Sequence, residues 1–268
     1  IINEEIFIEH SMFQSNHLMG DLIIGVLVAI IISLVIFGGI KKIGEFAGRL
    51  VPSMVVLYMF CGFLIIFKNF YLIDDVFSLI IKDAFTGDAV LGGSLGALII
   101  TGVKRAAFSN EAGIGTEAMA HGAAKTTEPI REGMVAMLGP MIDTLIVCSI
   151  TGFSILSTGV WKDSSLNGIS MTAAAFDIGI PIIGKSILIF IVFIFSITTI
   201  IGYSYYGSKC SSFLFGSKTK LYYRVFYIFS LIPAAAFSID VVINFIDGLF
   251  ALMAIPTMIS SIILAPKV

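Results

Sequence analysis

The chain alternates long apolar runs with short polar connections, and the runs set its predicted elements. Residues 20–40, GDLIIGVLVAIIISLVIFGGI, form the first run, and a basic hairpin, KKIGEFAGR, is expected at 41–49. Residues 50–70 form the second, with Pro52 in its first turn, where a missing N–H matters little. Both reach the ~20 residues that cross a bilayer core as a helix. Residues 73–85, IDDVFSLIIKDAF, place apolar side chains at helical spacing but are too short to span, which predicts an interfacial helix. A third apolar region starts near Leu91 and runs into the polar stretch AAFSNEAGIGTEAMAHGAAK at 106–125. The fourth extends from about Arg131 to Ser157, with a kink expected at Pro140. A polar connection at 157–170 leads to a short helix near 171–179. The fifth span is 182–207, the sixth about 222–239 and the seventh about 241–264, with Pro256 inside it.

Composition agrees with this pattern. Of 268 residues, 57% are hydrophobic and 13% charged, and soluble chains average roughly 25% charged. The chain reads as an all-α polytopic membrane protein whose residues 1–268 form a single transmembrane domain. A net charge of −2 without a basic cluster gives no sign of a nucleic-acid partner, and none is expected. Cys61, Cys148 and Cys210 lie far apart with no metal or redox spacing, so apolar packing is expected of each. The opening IINEEIFIEHSMFQSNH lacks the basic and apolar regions of a signal peptide and reads as a loop inside a longer protein. Lys41, Lys42, Arg49, Lys125, Arg131, Lys209, Lys218, Lys220, Arg224 and Lys267 fall on one side if seven helices alternate. The positive-inside rule then places the N-terminus outside and the C-terminus in the cytoplasm. An outside N-terminus without a signal suggests missing upstream helices.

The polar stretch carries the chemistry. Gly113 and Gly115 each weaken a helix interior by ~1 kcal/mol relative to alanine. An ionisable side chain such as Glu111 at membrane depth costs at least ~2.5 kcal/mol on insertion scales. One reading is a close helix contact lined by small residues, with Glu111 paired or neutral. The other is a helix interrupted at the midplane, which exposes carbonyls at one broken end and N–H groups at the other. Secondary transporters use that device to hold ions and substrates. Lys104 and Arg105 upstream either pair with Glu111, face an aqueous vestibule or snorkel to an interface. Further along, Thr198 and Thr199 offer adjacent hydroxyls which, with an i−4 carbonyl, suit a hard monovalent cation. The plainer alternative is that both bond back to their own helix. Thr199 and Tyr203 are one turn apart and share a face.

FSNEAGIGTEAMAHGAAKTTEPIREGMVAMLGPMIDTLIVCSITG (108–152) closely resembles the signature region of the alanine/glycine:cation symporter family. VIFGGIKKIGEFAGRLVP (35–52) resembles the same family's hairpin, ITTIIGYSYYGSKC (197–210) a later helix and FIDGLFALMAIPTMISSIIL (245–264) its C-terminal end, all in order. The resemblance implies a leucine-transporter-like inverted-repeat fold, of which this chain would hold core helices 4 to 10. It implies import of alanine or glycine with sodium or a proton, no other cofactor, and residence in a cell membrane, as in a bacterial inner membrane. Core helix 1, which carries a Gly-rich motif in the family, has no counterpart in this sequence, so an N-terminal half of the site is expected elsewhere. In core helix 6 the break is expected at Phe108–Gly115, with Phe108 closing over substrate and carbonyls near Phe108–Asn110 facing its amino group. Asn110 and Glu111 would tie the broken ends or shape the cavity, with Gly113 and Gly115 in the break. Thr198, Thr199 and the carbonyl of Phe195 match the fold's second sodium site. Thr199 and Tyr203 would line the pocket, and Tyr203 replaces the family's usual tryptophan, which alters pocket volume and adds a hydroxyl.

Other polar residues have plainer expectations. His121 and Glu117, one turn apart, are expected to pair, with a proton relay as the sharper alternative. Asp143 is expected to hydrogen-bond inside the bundle, and Asp247 to sit at a gate or a helix end. Tyr203, Tyr205 and Tyr206 read partly as an interfacial belt. A non-transporting remnant or interacting membrane subunit is the second functional class. A membrane hydrolase is the third, without any H-E-x-x-H or G-x-S-x-G motif to support it.

Overall fold

A computed structural model describes residues 17–85, 94–237 and 239–267, and among them the regular structure is helical throughout. Helix α1 (His17–Ile36) is the first apolar run. It closes on Gly39, whose φ of 76° a side chain would oppose. Helix α2 (Gly39–Lys68) follows at once and is 30 residues long. The expected basic hairpin at 41–49 is therefore helical. Its residues include good helix formers, and Ile43 and Phe46, three apart, join the apolar core described below. Pro52 consequently lies well inside α2 rather than in a first turn. There it withholds a hydrogen bond from the carbonyl of Gly48.

Helix α3 (Ile73–Phe85) occupies the segment expected to form a short helix. Helix α4 (Ser94–Asn110) and the short α5 (Thr116–His121) flank the polar stretch; Leu91 lies outside the described residues. Helix α6 (Pro129–Met141) runs into a widened π turn (Ile142–Val147) and then α7 (Cys148–Thr158). Pro140 thus ends in a π turn just beyond it, the form its disruption takes here. Helix α8 (Ile169–Gly179) is short; α9 (Gly184–Phe215) continues eight residues beyond the expected end at 207. Helix α10 (Thr219–Ala234) stops at its Pro233, and α11 (Ile239–Leu264) completes the order.

Among the described residues five helical stretches are long and apolar enough to cross a membrane: Leu18–Ile36, Lys41–Lys68, Pro129–Thr158, Gly184–Phe215 and Val241–Leu264. The other two of the seven expected spans are present as shorter helices, α4 with 17 residues and α10 with 16. The apolar faces of these stretches remain largely uncovered by the chain itself, as bilayer-facing helices require.

The chain divides into two compact units. The first holds the described parts of Ile1–Tyr58 and Lys185–Val242. Its core joins Ile32, Val35 and Ile36 of α1, Ile43 of α2 and Ile197 and Ile201 of α9. The i, i+3 and i, i+4 spacings put these on single helix faces. Gly25 lets α1 approach α10, since a Cβ there would lie 3.1 Å from both the Ala235 Cβ and the Ile232 carbonyl oxygen. In lipid such contacts gain from close packing and dispersion rather than from leaving water.

The second unit holds the described parts of Met59–Gly184 and Ile243–Val268. Phe77 of α3 meets Phe153 of α7 with ring centroids 5.1 Å apart. Phe176 of α8 is fully buried. Lys68, in the last turn of α2, donates its Nζ to the carbonyl of Gly179 at 2.9 Å, so a cation sits at the negative end of α8. Gly62 of α2 takes the Ile150 Cγ2 methyl of α7 into the space its side chain would fill. Of the three cysteines only Cys61 is buried; Cys148 and Cys210 are exposed on the chain, which corrects the expectation of packing for all three. Gly62→Ala should destabilise by about 1–3 kcal/mol through overpacking against a β-branched methyl that has little freedom to move. Gly152→Ala, where nothing lies within 4 Å, should not. The midpoint of thermal unfolding in detergent separates the two.

Candidate functional site

The break in the polar stretch follows from its backbone and from where its N–H groups go. Glu111, Gly113 and Gly115 have φ of 56°, 84° and 96°. Glycine enters that region freely, whereas for Glu111 it costs roughly 1–2 kcal/mol. The N–H of Glu111 makes the last helical bond of α4, to Ala107 at 3.0 Å. The next three N–H groups go elsewhere. Ala112 donates to Asn110 Oδ1 at 2.9 Å, Gly113 to Glu117 Oε1 at 2.8 Å and Ile114 to the Glu111 carbonyl at 3.3 Å. In a continuous helix they would serve the carbonyls of Phe108, Ser109 and Asn110. Those three carbonyls are therefore released, at the residues where carbonyls were expected to face an amino group.

Two side-chain bonds fix the broken end. Ser109 Oγ donates to Asp143 Oδ2 at 2.6 Å, and Asn110 Nδ2 donates to Thr144 Oγ1 at 2.9 Å. Consecutive residues of α4 thus meet consecutive residues of the π turn. A π turn displaces side chains from α-helical register, and such turns recur at functional sites. Asp143 is hydrogen-bonded inside its unit, as expected. Phe108 packs against Phe250 of α11, with centroids 5.6 Å apart. Gly115 faces Thr257 of α11; a Cβ there would lie 2.8 Å from its Oγ1. The expected pairing of His121 with Glu117 is not made. His121 Nδ1 lies 2.7 Å from Glu132 Oε1, while Glu117 turns back to cap Gly113. The unpaired N–H of a broken helix is a stronger claimant than a neighbouring imidazole.

Phe195, Thr198, Thr199 and Tyr203 belong to α9 in the first unit. Thr198 is buried and donates its Oγ1 proton to the Phe195 carbonyl at 2.9 Å. This is the plainer of the two alternatives for Thr198, and it also brings together two of the three oxygens expected to hold a cation. A hydroxyl proton rotates, so one turn about the C–O bond would present both oxygens as acceptors. Thr199 and Phe195 are exposed on the chain. Tyr203 meets Tyr206 edge-on at 5.6 Å. Tyr227 of α10 donates to the Ile200 carbonyl at 2.8 Å, next to Thr199.

The sequence model of the sodium:alanine symporter family matches residues 7–268. The chain belongs to that family. It is 40% identical over 254 residues to the sodium/alanine symporter AgcS of Methanococcus maripaludis, covering 94% of this chain and 56% of that protein. It is 32% identical over 257 residues to the probable sodium/glutamine symporter GlnT of Bacillus subtilis, covering 96% of this chain and 54% of that protein. With the sodium/proton-dependent alanine carrier protein of Bacillus sp. it shares 34% identity over 213 residues, covering 74% of this chain and 48% of that protein. The chain spans about half the length of these curated relatives. Family membership and the apolar helices together make it a multi-pass membrane protein.

Within this symporter-family chain, the roles of Ser109, Thr144 and Glu117 were not read from the sequence. The signals were present: Asp-Thr shortly after Pro140, and a glutamate four residues after Gly113. Asn110→Ala and Thr144→Val should each destabilise the protein, and the double variant should do so by less than their sum. The expected coupling is about 1 kcal/mol. Reversible unfolding of the four proteins in mixed micelles measures it.

Proposed function

We propose that this chain forms part of a sodium-coupled symporter that carries a small neutral amino acid, alanine or glycine, across a cell membrane. The observation that carries the reading is the release of the Phe108, Ser109 and Asn110 carbonyls inside a membrane-helix pattern, in a chain of the sodium:alanine symporter family. An ammonium group is held by oxygen acceptors, and these carbonyls supply them without burying a full negative charge. The fold proposed is the leucine-transporter-like inverted repeat, with this chain as core helices 4 to 10. A bacterial inner membrane is the proposed location.

In this reading Phe108 closes over the substrate, and Asn110 holds the broken end through Thr144 and Ala112. Glu111, Gly113 and Gly115 set the backbone path. Thr198, Thr199 and the Phe195 carbonyl hold sodium, and Thr199 and Tyr203 line the substrate pocket. The Thr198–Phe195 contact supports the cation role because it sets two hard oxygen donors side by side. Sodium binding would stabilise the substrate-competent arrangement, so the two ligands bind cooperatively. Symport with a proton is the alternative coupling, and one relative is named sodium/proton-dependent.

Proteoliposomes reconstituted with the protein that carries this sequence should take up alanine and glycine faster when a sodium gradient points inward. Thr199→Val should raise the half-saturating sodium concentration roughly tenfold or more, a loss of at least about 1.4 kcal/mol. Uptake that ignores the sodium gradient would overturn the coupling, and uptake of neither amino acid would overturn the substrate.

A further inference from the structure

Among the described residues, two sealed side-chain oxygens have no hydrogen-bond partner, and they belong to consecutive residues: Thr116 Oγ1 and Glu117 Oε2. Thr116 is 2% exposed. Glu117 as a whole is partly buried, but only its Oε1 is used, by the Gly113 N–H at 2.8 Å. A sealed carboxylate oxygen without donor or cation is costly, and a buried hydroxyl without partners adds to the cost. Both atoms sit in the first turn of α5, directly after Gly115. Across from Gly115 stands Thr257, whose hydroxyl proton is committed to the Met253 carbonyl at 3.0 Å. Thr257 therefore offers lone pairs, not a proton, on that side.

The ligand chemistry is specific. Hydroxyl and carboxylate oxygens form a hard donor set carrying a single negative charge. The described residues gather no group of three His, Cys, Asp or Glu side chains such as a divalent or transition metal would need. Glu117 makes no ion pair with a basic side chain among the described residues. A small monovalent cation matches that charge and those oxygens.

We propose that Thr116 Oγ1 and Glu117 Oε2 form a binding site for sodium, separate in sequence from the Thr198–Thr199 pair. A cation on Oε2 holds the carboxylate in place while Oε1 holds the Gly113 N–H, so occupancy of the site stabilises the break between α4 and α5. Its effect on transport rests on the symport reading; the binding itself does not. A site that favours one arrangement of the break shifts its population by the difference in affinity between arrangements.

Equilibrium binding of radioactive sodium to the purified protein, without amino acid, tests the proposal. Glu117→Gln and Thr116→Val should each weaken sodium binding roughly tenfold or more at one class of site, about 1.4 kcal/mol. Thr116→Ser keeps the oxygen and should bind as the parent does, which separates loss of a ligand from loss of fold. Parent-like sodium binding in Glu117→Gln overturns the site. Thr199→Val distinguishes this proposal from the one above. Sodium binding lost only in Thr199→Val leaves the symport reading and sinks this site. Binding lost in Glu117→Gln in a protein that takes up neither amino acid leaves the site and sinks the symport reading.

Discussion

A helix in lipid has no water to fall back on, so every backbone N–H and C=O it releases must find a partner within the protein or its ligands. In the membrane arrangement proposed above, this constraint acts on the polar stretch between α4 and α5. Breaking the helix at Asn110 frees three N–H groups and three carbonyls. The N–H groups are accounted for: Ala112 by the Asn110 side chain, Gly113 by Glu117 and Ile114 by the Glu111 carbonyl. The carbonyls of Phe108, Ser109 and Asn110 are not answered by those N–H groups. The asymmetry gives the break its chemical sign. An element that satisfies its donors and leaves its acceptors open presents negative potential, which attracts ammonium groups and cations and repels carboxylates.

Such a break needs a rigid frame, since a frayed end would offer its carbonyls in no fixed direction. The frame comes from the neighbouring segment. Pro140 removes one rung of the helical ladder, and the backbone widens into the π turn at Ile142–Val147. Asp143 and Thr144 in that turn hold Ser109 and Asn110. Two irregularities, one in each segment, thus meet and stabilise each other. The positive φ of Glu111 persists because bonds on both sides of it determine the path.

Much of this was legible in the sequence, and the part that was not has a physical reason. Apolar runs locate helices because twenty apolar residues have few other solutions in lipid. The clustering of Asn110, Glu111, Gly113 and Gly115 pointed to an interrupted helix and the family resemblance gave its range, Phe108–Gly115; α4 ends at Asn110. The basic segment at 41–49 was misread because charge suggests a connection, whereas Ile43 and Phe46 kept one helical face apolar. His121 and Glu117 stand one turn apart, but turn spacing cannot weigh a neighbouring imidazole against an unpaired N–H at the helix end. The clamp joins residues 34 apart, and no local pattern carries that information. Pairings across long separations are set by tertiary packing.

The same solvent argument explains why so few polar contacts define the site. Between membrane helices, apolar surfaces discriminate weakly among arrangements, because lipid tails compete on nearly equal terms. Register must come from close backbone approach and from directional bonds. Gly25 and Gly62 supply the first, each within its own unit. Lys68 with Gly179, Tyr227 with Ile200, Ser109 with Asp143 and Asn110 with Thr144 supply the second, each joining two segments. Two of those four bonds hold the broken helix, and a third grips α9 beside Thr199. The bonds that set the register of the helices are thus concentrated where the cation and substrate chemistry is proposed. A substitution at these positions acts on architecture and on binding together, so the two effects must be separated by measuring ligand binding and stability on the same variant.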